Sequence, residues 1–411
     1  MKKIVFLCAC CMAVAMQTQS LKLYVSNPAD TEQLNAPVVL QLNDYPQIKP
    51  EDRSRLAVLI DGQQISAQLD DLNTDGIPDE LVFLLSMPAH TTQKIVVKSL
   101  PPHKHKTFPK EMNVQMWRKN KEQGTMYEVT EASSTQNDMY NQMHHHGVAW
   151  ESVLMAYRIY FDNKQTIDIY GKKTPQLELE RSLWYPTDEQ LAQGFGDDVL
   201  RVSGSVGVGT VKPWNGKKAV HVTEFDKRTQ RIVAEGNLRT ISEIEVEGWK
   251  YEGKKINMTV RYTMYARHRD CQVTVLTNTD VDTLVTGVQK VKGGLLLEQP
   301  DLVGCWGTDW PVNDTVKYAK ETVGLGVTLP QQTAYMQKQD KANNLLFFST
   351  KANVPVTFNI TAVSMKEING PIRSAETFFS YLQQWQKNCT TTLIVTKNKP
   401  SKINNSKSKN R

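Results

Sequence analysis

Apolar and polar positions along the chain alternate far more often than they recur at helical spacing, and the alternating runs are short and bounded by turn residues. In 21–100 the run Leu56-Ala57-Val58-Leu59-Ile60 meets Asp61-Gly62 and resumes over 63–69. Asp-Gly supplies the positive φ angles of a tight hairpin turn, so a hairpin is expected there. Strands at 80–85 and 93–97 complete a small β-sandwich over 21–100. Residues 101–112, with Pro101, Pro102 and Pro109 around a basic stretch, read as an exposed linker.

From 113 to 396 strand-like runs recur at 155–161, 165–170, 230–238, 257–265, 272–276, 345–348 and 356–361. One segment has helical spacing: Phe378, Phe379, Leu382 and Trp385 line one face of 375–386, with Ser374 as N-cap. A last strand is expected at 391–395. A body of this length is too large for an immunoglobulin-like sandwich and carries no fixed repeat of the propeller kind. The expected fold is all-β, a small sandwich followed by large stacked antiparallel sheets.

Composition agrees with a globular chain: of 411 residues, 40% are hydrophobic and 22% charged, which excludes disordered and fibrous classes. The net charge of +6 changes meaning once it is located. Lys2 and Lys3 precede an apolar run at 4–16 and the small-residue site Ala13-Val14-Ala15, the pattern of a signal peptide over 1–20 that is too short to span a bilayer. A lipid-anchored variant at Cys10 is the other reading, and either way the protein is expected to be exported, to the periplasm or beyond. Six cations and no acid fall in 397–411, a tail expected to be disordered. Without both ends, 41 basic residues face 43 acidic ones, so nucleic acid is excluded as a partner. No later run is long enough for a transmembrane segment. Cys271, Cys305 and Cys389 read as isolated thiols, with one bridge as the alternative.

Three stretches carry candidate chemistry. Asp71, Asn73, Asp75 and Asp79, with Gly76 for the turn and the Ile77 carbonyl, offer oxygens at the spacing of a short calcium loop. Val82 stands where an EF-hand wants Glu, so the alternatives are a structural Ca2+ or a metal-free turn held by the same side chains. His144, His145 and His146, beside Trp150 and Glu151, suit a metal pair, an acid/base histidine or a solvated loop. Arg158 and Tyr160, then Asp168, Tyr170 and Lys172, put cations beside aromatics on adjacent strands, as an acidic glycan requires and as plain cross-strand pairing also produces. His268, flanked by Arg267 and Arg269, and His221 near Glu224 are further histidines. The glycine-rich stretches 194–198 and 204–209 lack a Walker lysine and read as loops.

Taken together, the calcium-type loop running into Leu81-Val82-Phe83-Leu84, the His145-His146-Gly147 stretch with Trp150-Glu151, the Arg158 to Asp162 and Asp168 to Lys172 strands, Gly196-Asp197-Asp198 and His268-Arg269-Asp270 resemble an uncharacterised family of secreted bacterial proteins encoded with polysaccharide-degrading enzymes. The resemblance covers most of 30–395 and implies a galactose-mutarotase-like β-supersandwich for the large domain, with no assigned catalytic residues. It implies an exported carbohydrate-active protein acting on a uronic-acid-containing glycan, by lyase-type β-elimination or a related sugar transformation. His146 or His268 is then the expected base, Tyr160 the acid, and Arg158 or Lys172 the carboxylate clamp, with Trp150, Glu151, Trp184 and Trp306 as further binding residues. The alternatives are a non-catalytic glycan-binding accessory protein using Trp150, Trp184, Tyr160 and Trp306 as a stacking platform, and a mutarotase or epimerase.

Overall fold

The computed structural model describes residues 20–120 and 122–400. The expected leader, apart from Ser20, and the end of the basic tail lie outside the described residues. Among the described residues the strands form six sheets.

The N-terminal module is built from alternation. In strand Ser20–Ser26 every second side chain is buried, and Leu21, Leu23 and Val25 meet Leu40, Leu81, Phe83 and Ile95 from a facing three-stranded sheet and a neighbouring strand. The Leu56–Ile60 and Gln63–Ile65 strands are joined as expected through Asp61 and Gly62, both at positive φ. Strand Ile394–Thr396 returns across the molecule and pairs antiparallel with Tyr24 to Ser26. The small sandwich is thus closed by the far end of the chain.

The large body is a nine-stranded antiparallel sheet facing a five-stranded and a four-stranded sheet. Ile244 and Tyr262 of the first, Trp150 and Tyr157 of the second, and Leu284 and Phe348 of the third share one core. This is the all-β architecture expected, a small sandwich followed by a β-supersandwich. Helix Ala375–Cys389 lies on the outer face of the nine-stranded sheet, capped as expected by Ser374, whose hydroxyl accepts from the Thr377 amide. It approaches closely because Gly304 and Gly326 lack side chains: a Cβ at either would sit 2.2 or 2.4 Å from a methyl carbon of Leu382. Burying Leu382 contributes about 2 kcal/mol.

The two cores meet at a polar joint. Gln68 accepts from the amides of Leu238 and Arg239, both at 2.8 Å, and Arg239 pairs with Asp70 and Glu80, the residues that flank the calcium-type loop. Cys271, Cys305 and Cys389 are free thiols. Among the described residues no helix is long and apolar enough to cross a membrane.

Candidate functional site

The five-stranded sheet has an apolar face and a polar one. Strand Met155–Ile159 sends Tyr157 and Ile159 into the core and Ala156 and Arg158 the other way. Cross-strand pairing sets Arg158 between Ala149 and Asp168, Ala156 between Glu151 and Tyr170, and Glu151 opposite Asn113. This polar face is not open to solvent, because the segment around helix Leu179–Ser182 and Trp184 lies over it.

One half of the face fastens that cover. Lys172 donates to Glu151, to the Ser152 carbonyl at 2.7 Å and to the Gln176 carbonyl at 2.6 Å. Glu151 accepts the amides of Glu178 and Leu179, while Glu178 takes the Tyr170 hydroxyl at 2.7 Å. Lys172 and Glu151 are buried, so in this structure neither presents a group to a ligand.

The other half reaches the surface. The Arg158 guanidinium donates to Asp168, Asp198, Tyr160 and Tyr185, the last at 2.9 Å, and lies 4.4 Å from the centre of the Trp184 ring. Trp184 in turn donates its indole N–H to Asp198 at 3.2 Å. Arg158, Asp168 and Trp184 are buried, whereas Tyr185 is 45% exposed and the Asp198 side chain 12%. Burial, and for Asp198 the neighbouring Asp168 charge, push both carboxyls above the usual carboxylate range, against the pull of Arg158. The pair therefore retains a proton where an isolated carboxyl would have lost it.

Beside Tyr185 stand the three histidines, and each donates one ring N–H to a carbonyl: His144 Nε2 to Leu183 at 3.1 Å, His145 Nδ1 to Gly147 at 2.9 Å, and His146 Nδ1 to Tyr140 at 3.0 Å. His145 is fully buried, and its Nε2 faces the Gln115 amide. In His146 the carbonyl bond assigns the proton to Nδ1 and leaves Nε2 as an unprotonated acceptor without a protein partner among the described residues. Burial, with smaller effects of Arg158 and Lys119, pushes its pKa down to about 4. Its ring stacks on Tyr140, and the edge of Tyr185 approaches it. Lys164 lies over the Tyr160 and Tyr140 rings, at 4.9 and 5.8 Å, and pairs with Asp162.

Local backbone strain marks the same place. His145 and His146 have φ of 38° and 68°, and Leu183 and Trp184 have 47° and 74°. A left-handed conformation costs a non-glycine residue about 1–2 kcal/mol, and bulky residues rarely adopt it. The two strained segments are joined by the His144 to Leu183 bond. Gly147 follows because nothing larger fits: a Cβ there would lie 2.0 Å from the Ile159 carbonyl oxygen.

Of the residues expected from sequence, His146, Tyr160, Arg158 and Trp184 come together here. The others do not. His268 has both ring nitrogens engaged, by Asp270 and by the Asn35 carbonyl, and belongs to the joint with the N-terminal module. Trp150 is fully buried between Tyr157 and Tyr262, and Trp306 rests against Phe378 beneath the helix, so with Trp184 also buried the expected tryptophan platform is not assembled. Aromatic surface is offered instead by Tyr185 and Tyr140. Arg158 and Lys172 are spent on internal partners and do not form the expected clamp. Tyr140, Tyr185, Asp168 and Asp198 were missed as site residues. Asp168 and Asp198 carried a usable signal, the first in its alternation with Tyr170 and the second in the Gly196-Asp197-Asp198 stretch.

In the Asp71 to Asp79 loop the side chains accept backbone amides: Asp71 from Asp75 and Gly76, Asn73 from Asp75, Asp75 from Ile77, and Asp79 from Leu72 and Asn73. Among the described residues no group of three or more Asp, Glu, His or Cys side chains is arranged to hold a metal.

Residues 25–395 match the family described as domain of unknown function DUF4861. The chain belongs to that family. The match runs from the first strand to the strand that returns to pair with it, so the family unit comprises the N-terminal module, the large body and the site within that body. No curated protein matches the chain. Solved structures similar to it include a protein in glycosyl hydrolase family 38 from Enterococcus faecalis, 10% identical with a TM-score of 0.45 over 93% of this chain and 48% of that one. An alpha-mannosidase from Enterococcus faecalis V583 is also 10% identical, with a TM-score of 0.43 over 93% of this chain and 46% of that one. The chain spans about half the length of either structure.

Proposed function

We propose that this is an exported carbohydrate-active protein that acts on a uronic-acid-containing glycan by proton transfer at the His146 site. One observation carries the reading: the Tyr140 carbonyl takes the His146 Nδ1 proton and leaves Nε2 free, among the described residues, beside the half-exposed Tyr185 ring. Burial also favours the neutral imidazole, pushing the His146 pKa down to about 4, and pushes the Asp168 and Asp198 carboxyls above the usual carboxylate range. A neutral imidazole with its Nε2 unengaged is the group here able to take a proton. In β-elimination His146 Nε2 takes the proton α to the uronate carboxylate, that C–H electron pair forms the new C=C bond, and the leaving oxygen departs with a proton from the acid side. Tyr185 suits the acid contact, because its oxygen accepts from Arg158 and its own proton remains free for a ligand. Lys164, part-exposed at the rim and paired with Asp162, is the cation we assign to the sugar carboxylate. The carbohydrate assignment itself rests on the sequence resemblance and on the exposed Tyr185 face.

The engagement of Arg158 and Lys172 by internal partners favours a second reading, a glycan-binding accessory protein whose surface is the exposed aromatic face of Tyr185 with Tyr140. Incubating the full chain with a panel of uronate polysaccharides while following absorbance of unsaturated products separates the two. Turnover that is lost in His146→Gln supports the lyase reading; binding without turnover, retained when His144 and His146 are both replaced by alanine, supports the accessory one. A structural Ca2+ at the Asp71 to Asp79 loop remains a separate proposal, supported by the spacing of its oxygen-bearing side chains.

A further inference from the structure

Two cations in the large body are buried away from the His146 site without forming an ion pair among the described residues: Lys212 and Arg228, at 1% and 0% exposure. Lys212 Nζ donates to the Ser205 carbonyl at 2.6 Å and to the Thr166 hydroxyl at 3.0 Å, and meets His221 Nδ1 at 3.1 Å. Arg228 donates to the carbonyls of Asp162 and Val222, and its Nε has no partner. Carbonyl oxygens solvate these charges without cancelling them, and an unpaired buried cation costs several kcal/mol. Accordingly burial pushes Lys212 down to about 7 and Arg228 down to about 10.

Ser205 and His221 also line a cleft of about 530 Å³ whose rim carries the exposed cations Arg201, Lys218, Lys290 and Lys341. Two acids line it as well. Asp340 is occupied by the amides of Ala219, Ala342 and Asn343 and by the Asn343 side chain, and Asp309 accepts the Trp310 amide. With Nδ1 facing the Lys212 ammonium, His221 carries its proton on Nε2, which has no partner among the described residues. The volume is that of a small-ligand site.

We propose that this cleft is a second site that binds the oxyanion of a small polar molecule, a sugar carboxylate or a phosphate, through His221 Nε2–H and the rim lysines, with Lys212 against Nδ1 holding the His221 proton on Nε2. It shares no lining residue with the His146 cluster, so it stands whether or not that cluster turns over a glycan.

Calorimetric titration of the full chain at low salt with D-galacturonate, inorganic phosphate and D-galactose tests it. At least one anion binds, galactose binds at least about tenfold more weakly, and added salt weakens the anion. His221→Ala lowers anion affinity about tenfold, and Lys290→Ala and Lys218→Ala, both surface changes that leave the fold intact, lower it to a smaller extent. Galacturonate alone binding identifies the source as a sugar acid, and phosphate alone identifies it as a phosphate. Equal binding of galactose, no binding of either anion, or unchanged anion affinity in the folded Lys290→Ala and Lys218→Ala proteins overturns the proposal.

Discussion

Tyr140 holds His146 twice: the two rings lie 3.5 Å apart and 8° from parallel, and the Tyr140 carbonyl takes the His146 Nδ1 proton at 3.0 Å. Ring position and tautomer are thus set by one neighbour, leaving Nε2 as the reactive nitrogen. A histidine fixed in this way is ready as a base without rearrangement.

Arg158 and Tyr185 separate stability from function. Arg158→Met leaves Asp168 and Asp198 without their cation and is expected to cost about 3 kcal/mol in urea unfolding. Tyr185→Phe removes one hydroxyl from a half-exposed ring and should cost no more than about 1 kcal/mol, while lowering turnover or glycan affinity about tenfold. Equal stability losses in the two variants would contradict the placement of Tyr185 at the ligand side.

The depressed histidine sets the sign of one pH effect. Between its ordinary value of about 6.5 and its folded value of about 4, His146 takes up a proton in the unfolded chain and not in the folded one. Its contribution is therefore intact above pH 6.5 and is lost as pH falls toward 4. His146→Gln should show a shallower fall in stability over that window, by a slope difference of about one proton, as measured by denaturant unfolding at a series of pH values. The same group predicts a rising limb of turnover near pH 4.

Calcium is tested by unfolding temperature. If the Asp71 to Asp79 loop binds the ion, saturating calcium raises the melting temperature of the full chain relative to EDTA, by an amount equivalent to about 2.7 kcal/mol at a hundredfold excess over Kd. Asp75→Ala should abolish the shift. The same melting curve in calcium and EDTA means that the loop is held by its own hydrogen bonds alone.

Local patterning reveals most of the fold. The Asp61-Gly62 hairpin, the Ser374-capped helix and the alternating strands are all set by neighbours within a few residues, where turn chemistry and period act directly. The partnership of Ile394–Thr396 with the first strand is not legible, because nothing local specifies a pairing across nearly the whole chain. The site divides in the same way. Arg158, Tyr160 and His146 announce themselves by residue type, but whether a cation is free or spent depends on partners distant in sequence: Asp198 for Arg158, Glu151 for Lys172. Trp150 shows the opposite failure, since an aromatic suited to a sugar is equally suited to a core. Tyr185 follows Trp184 on an irregular, strained segment, where periodicity carries no information.

Long-range proton–nitrogen NMR of the His146 ring, with and without a uronate oligosaccharide, reads the protonation of both ring nitrogens. Nδ1 is expected to be protonated and Nε2 unprotonated at neutral pH, with a titration midpoint near 4 and a shift of Nε2 on adding the glycan. A midpoint near the ordinary histidine value, or an Nε2 signal that does not respond to a glycan that binds, would contradict the role of His146 as base.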